Sequence, residues 1–198
     1  MAITIKNDRE IELMRHAGHI VGLVHARLQP AIVPGVTTQD LDDIAREVIE
    51  ENGAYPTFLG HLGFTGRICA SVNEEIVHGI PGKKTLRDGD IISIDVGATY
   101  NGFIGDSAWT YPVGTVDNES RRLLEVTEQS LYLGIEQAVA GNRVGDIGHA
   151  IEEFVTSGGY GMVREYGGHG VGRQMWEEPH VANHGQPGTG VVLREGMT

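Results

Sequence analysis

The chain has a single cysteine, Cys69, in 198 residues, so no intrachain disulfide framework is available and the sequence suits a reducing cytoplasm. No apolar run approaches the ~20 residues that cross a bilayer. The first eight residues lack the apolar core of a signal peptide. Cations are scarce: 15 Lys and Arg stand against 27 Asp and Glu, a formal net charge of −12. That balance argues against non-specific binding to nucleic acid or to an anionic membrane, both of which need basic patches. With 40% hydrophobic and 21% charged residues, the chain can bury a sizeable core, and disorder is excluded. Glycine is abundant instead: 29 of 198 residues, about twice the usual ~7%. The last four residues, Glu195-Gly196-Met197-Thr198, do not read as the end of a domain.

Apolar stripes at helical spacing predict a helix from Asp8 to Leu28. A second helix follows Thr37 or Thr38, either of which can cap it, with Leu41, Ile44, Ala45, Val48 and Ile49 as its buried face. Ile68–Val72 and Ile91–Val96 read as strands. Asn101-Gly102 is a strong hairpin signal that returns the chain over Phe103–Tyr111. Helices are expected again over Ser120–Val139 and from about Asp146 to Ser157. The two helix entries match at an offset of 106: Gly35 with Gly141, Asp40 with Asp146, Leu41 with Ile147. One such repeat suggests duplication within a single α+β domain, with pseudo-repeats of about 8–112 and 118–198.

The hairpin carries the first chemical signal. A two-residue turn at Asn101-Gly102 sets Asp106 opposite Gly97, which shares a strand face with Asp95. The carboxylates become diagonal neighbours, roughly 7–8 Å apart at the backbone, and can converge on a cation. Aspartate is a poor strand residue, so two on one face need a reason. A paired-metal site is one reason, and two solvated strand-end residues are the alternative. His169, inside Tyr166-Gly167-Gly168-His169-Gly170-Val171-Gly172, sits in a glycine-rich loop and could ligate a metal. His78, read at a strand end before Gly79-Ile80-Pro81, could orient an amide. Cys69 has no basic neighbour and reads as a packed thiol. The helical pair His16 and His19 reads as a solvated face.

Ser71–Pro81, Asp95-Val96-Gly97, Asn101–Ser107 and Gly168–Arg173 with Glu177-Glu178-Pro179 together resemble the type I methionine aminopeptidases, whose fold is the duplicated pita-bread fold. The resemblance runs from the first helix to Thr198 and implies two divalent ions, of cobalt, manganese, iron or zinc. Asp95 would bind one ion, Asp106 would bridge both and His169 would bind the other. His78 would be catalytic, hydrogen-bonding the substrate beside the scissile amide. Phe58, His61, Phe64 and Cys69 would form the pocket for a methionine side chain. A metal-bound hydroxide would remove the N-terminal methionine of nascent polypeptides with a small second residue, at the ribosome, the enzyme being a cytoplasmic monomer with no nucleic-acid or membrane partner.

Three departures from the family pattern stand out. The family places two further glutamate ligands, the first after a Gly-Met-x-x-x-Ile-Glu-Pro pattern that this chain enters only as far as Gly196-Met197-Thr198. The chain is therefore expected to be a fragment or truncated form, short of its last sheet strands. A substrate-contacting histidine of the family is Trp176 here. The pocket segment reads Gly60-His61-Leu62-Gly63-Phe64-Thr65, where Tyr-His-Gly-Tyr/Phe-Pro is usual. Two alternatives stand beside the aminopeptidase reading: a non-catalytic binding protein of the same fold, and another member such as a prolidase.

Overall fold

The computed structural model describes residues 2–198. The chain divides into two compact units, Glu10–Arg121 and a second built from residues up to Arg9 together with Arg122–Thr198.

In the first unit, helix α1 spans Asp8–Leu28 and buries Ala17, Ile20, Val21, Val24 and Leu28. Helix α2, Thr38–Glu51, starts at a capping box. The Thr37 hydroxyl accepts from the Asp40 amide, and the Asp40 carboxylate accepts from the Thr37 amide. It ends at Asn52, and Gly53 follows at φ 68°, a left-handed position that glycine takes without strain. Strands β1 (Tyr55–Pro56), β2 (Ile68–Val72), β3 (Ile91–Tyr100) and β4 (Phe103–Pro112) form one antiparallel sheet. Strand β4 lies along one edge of β3, and β2 and β1 share the other edge.

Alternation gives that sheet two different faces. Ile68, Ala70, Val72, Ile92, Ile94, Val96 and Ala98 point into a core closed by α1 and α2. Gly105 admits the backbone of α1, since a Cβ there would lie 2.6 Å from Ala17 C and Gly18 N. The opposite face carries Cys69, Ser71, Ser93, Asp95, Gly97 and Asp106.

In the second unit, α3 (Asn118–Gln137) and α4 (Val144–Ser157) accompany a hairpin of β5 (Gly167–Gly170) and β6 (Glu177–Ala182). Gly134 receives Ile151 of α4, and Gly148 packs against the backbone of Ala182 and His184. At the entry to α4 the Asp146 carboxylate accepts from the Arg143 amide at 2.6 Å, as Asp40 does at α2.

Three local expectations change. Helix α3 begins two residues before the predicted start and ends two residues before the predicted end, and α4 begins at Val144. His169 lies in strand β5, because its backbone pairs with β6 despite the glycines around it. His78 lies in a loop beyond the end of β2, with φ 61°. His16 and His19 are both exposed, as a solvated face requires, and the His16 ring also packs on Tyr100 with centroids 4.1 Å apart.

Candidate metal centre and substrate pocket

The Asn101-Gly102 turn pairs Tyr100 with Phe103 and places Gly97 opposite Asp106, the register that a two-residue turn requires. Both turn residues are left-handed, at φ 48° and 80°. Asp95 and Asp106 therefore lie diagonally on one face and are hydrogen-bonded to each other. Two carboxyls can share such a bond only if one holds a proton. Burial first, and then the charge and hydrogen bond of Asp106, push the Asp95 carboxyl up to about 8. Cys69 stands directly across from Asp95 in the ladder. Burial, reinforced by both aspartates, raises its thiol to about 12, so it is a packed, neutral group and not a nucleophile.

The chemistry of this donor pair suits a divalent cation. Two oxygen donors that repel each other when ionised lose that penalty when a cation lies between them. Among the described residues, no group of three or more His, Cys, Asp and Glu is arranged to hold a metal ion. Within the first unit the carboxylate pair is thus a partial donor set.

Phe58 closes over this face. It is buried, and a Cβ on Gly97 would lie 2.6 Å from its Cε1 and 3.0 Å from Thr57 Cβ, so the ring occupies the space glycine leaves. The loop carrying His61 and Phe64 closes on itself, with Gly60 N–H donating to Phe64 O at 2.8 Å and Phe64 N–H to His61 O at 2.9 Å. Leu62 at its tip is left-handed, φ 47°, and 84% exposed. Phe64 and Pro81 both press on Gly66. Phe58 accordingly packs on Gly97, on the sheet face that carries Cys69 and the carboxylates, while His61 and Phe64 lie in the loop that follows it. His78 is exposed, in the loop after β2.

His169 belongs to the second unit. Its Nδ1 hydrogen-bonds the Gly170 carbonyl at 2.9 Å. A carbonyl only accepts, so Nδ1 carries the hydrogen and the neutral ring's lone pair sits on Nε2, the state a metal-ligating imidazole needs. The ladder places His180 opposite it. Trp176, in the β5–β6 connection, is 48% exposed.

Glu177 has a different role from that of a ligand. Its Oε2 accepts from Lys6 Nζ at 2.7 Å and from Thr4 Oγ1 at 2.6 Å, and its Oε1 accepts from the Arg173 amide at 2.8 Å. Burial alone would raise this carboxyl, but the hydrogen bonds from Lys6 and Thr4 outweigh it and hold the group at about 2. Sequence reasoning has no local signal for this pair, whose members lie 171 positions apart.

Residues 12–198 match metallopeptidase family M24. The chain is 52% identical over 195 residues to methionine aminopeptidase 1 of Bacillus subtilis, covering 98% of this chain and 79% of that protein. The crystal structure of the Thermotoga maritima methionine aminopeptidase superposes with a TM-score of 0.97 at 45% identity, covering 99% of this chain and 79% of that one. A prolidase from Pyrococcus furiosus, at 24% identity and TM-score 0.84, covers 98% of this chain but 55% of its own and shares the fold alone. The chain belongs to the M24 metallopeptidases and has their pita-bread fold. Within that family its similarity is to the methionine aminopeptidases.

Proposed function

We propose that the chain is a methionyl aminopeptidase, a metallohydrolase that removes the first methionine from polypeptides whose second residue is small. The paired carboxylates of Asp95 and Asp106 beneath Phe58 carry this reading, and the identity to methionine aminopeptidases favours it over a prolidase. Asp95, Asp106 and His169 would hold two divalent ions, of cobalt, manganese, iron or zinc. When bound, the ions supply Lewis-acid activation of water and of the first peptide carbonyl.

The chain's own groups do the rest. Phe58, His61, Phe64 and Cys69 enclose the methionine side chain, for which a neutral thiol and aromatic rings are suitable apolar partners. His78 hydrogen-bonds the substrate beside the scissile amide. Trp176 offers one indole N–H and no proton shuttle. The protein is read as a cytoplasmic monomer acting on nascent chains at the ribosome, with no nucleic-acid or membrane partner. No described helix is long and apolar enough to cross a membrane. The two helix entries with the same acidic cap support one catalytic domain built of two pseudo-repeats, about 8–112 and 118–198.

The test is hydrolysis of Met-Ala-Ser, with each of the four metals, by the chain extended through the two further glutamate ligands; the 198-residue chain alone is expected to bind metal weakly. Cleavage that is lost in Asp106→Ala and absent with Xaa-Pro peptides is expected. Activity that survives Asp106→Ala would overturn the metal mechanism. Metal binding without any cleavage would favour a non-catalytic binding protein of the same fold, a reading to which Trp176 lends weight.

A further inference from the structure

We propose that Ser71 is a positioning residue that sets the place of His78; the inference rests on the reading of His78 as the group that contacts substrate.

His78 has φ 61°, a backbone conformation that a side-chain-bearing residue keeps only where its surroundings impose it. The imposing contacts come from the next residue. Gly79 N–H donates to Ser71 Oγ at 3.0 Å, and Gly79 O accepts from Ala70 N–H at 2.8 Å. Both bonds lie on the edge of β2 that faces away from β3, so the His78-Gly79 segment docks there as a single extra rung. The approach is close enough to demand glycine: a Cβ on Gly79 would lie 2.3 Å from Ala70 O and 2.9 Å from Ser71 Cα, and both are backbone atoms that cannot swing aside.

Ser71 is 3% exposed and projects from the same face as Cys69, the cross-strand partner of Asp95. Its hydroxyl therefore ties the loop to the carboxylate side of the sheet. Each end of the loop has its own anchor. The Glu75 carboxylate accepts from Val72 N–H at 2.8 Å, and Gly82 O accepts from Gln39 N–H at 3.0 Å. Between these anchors Ile76, Val77, His78 and Ile80 are all exposed. Loss of the Ser71 hydroxyl leaves the Gly79 amide without its acceptor and frees the His78 side chain to wander, while both ends of the loop stay anchored.

Ser71→Ala, Ser71→Thr, His78→Ala and the double variant Ser71→Ala/His78→Ala are compared, with metal and Met-Ala-Ser, in the chain extended through the two further glutamate ligands. Displacing a positioned group by about 1 Å can cost on the order of 100-fold, so Ser71→Ala is expected to lower kcat by roughly 10- to 100-fold with KM nearly unchanged. Ser71→Thr, which keeps the hydroxyl, restores most of the loss. The double variant turns over at the His78→Ala rate, because the two changes remove one function. In protein with 13C-labelled histidine, the resonance missing from His78→Ala identifies His78. In Ser71→Ala that signal shifts or broadens, and the other histidine signals stay in place. An unmoved His78 resonance, or losses that multiply in the double variant, would overturn the inference. Wild-type turnover by His78→Ala would instead overturn the catalytic reading of His78, and the resonance would still report whether Ser71 holds it.

Discussion

The hydrogen-bonded carboxylates make a directional prediction about stability in the absence of metal. Asp95 titrates near 8 in the folded chain and near its ordinary 3.8 when unfolded. Between those values the folded state binds the extra proton. Stability therefore falls as pH rises through this window, the reverse of the usual salt-bridged carboxylate. Each pH unit fully inside the window costs about 1.4 kcal/mol. A span of about four units gives a ceiling of roughly 6 kcal/mol, which water penetration and the shared proton reduce. The perturbation is Asp106→Asn, which removes the neighbouring charge but keeps a group that can donate to Asp95 when it is ionised. Urea unfolding in EDTA from pH 5 to 8.5 should show the wild-type midpoint dropping with pH. Asp106→Asn should flatten that slope and be the more stable protein at pH 8, even though it gives up a ligand. A wild-type midpoint that holds steady or climbs over this range would refute the shared-proton arrangement, as would an unchanged slope in the variant.

Three further outcomes are expected. Gly97→Ala should cost about 1–3 kcal/mol by overpacking against Phe58, and Phe58→Leu in the same chain should recover part of it, both read by urea midpoints. Cys69 should resist a thiol-disulfide reagent at pH 8 until the chain unfolds, because a thiol near 12 is almost wholly protonated there; rapid stoichiometric labelling of folded protein would contradict this. Lys6→Ala should cost about 1–3 kcal/mol at pH 7, since it removes the countercharge from a carboxylate whose side chain is 12% exposed while Thr4 and the Arg173 amide still donate to it. The Glu177 contribution is complete above its unfolded value of 4.5 and lost as pH falls toward 2, so the gap between Lys6→Ala and wild type should narrow between pH 4.5 and 3.

The parts of this molecule that were legible in the sequence are those fixed by local rules. The α1 stripe and the Thr37–Asp40 box depend on residues within a few positions of each other, and they place the two core helices. The Asn101-Gly102 turn is equally local, yet it decides a contact that is not. Once the turn has two residues, the facing pairs are fixed along all ten positions of β3, and Asp95 and Asp106 fall on one face with no other freedom. The family motifs then name the chemistry. What escaped the sequence has no local cause. Gly167-Gly168-His169-Gly170 has almost no side chains and no strand propensity, and becomes a strand only because Glu177–Ala182 offers it a ladder. Glu177 looks like any acidic residue after a glycine-rich stretch until Lys6 arrives from the far end of the chain.

His78 shows the same limit at the site itself. The sequence places it at a strand end, before Gly79-Ile80-Pro81, but β2 stops at Val72 and the chain turns back to the edge of that strand. What decides the fit at that edge is the absence of a side chain at position 79 and the presence of a small hydroxyl at 71. Neither residue does chemistry, and each would pass as an ordinary loop glycine or strand serine. A motif that spans both the chemical group and its support is conspicuous as a string of letters. The division of labour within it emerges only when the chain is folded far enough for Gly79 to meet Ala70. The Ser71 variants and the Asp106 titration therefore probe separate matters: whether the loop is held against the sheet, and whether the sheet presents two carboxylates that share a proton below about pH 8.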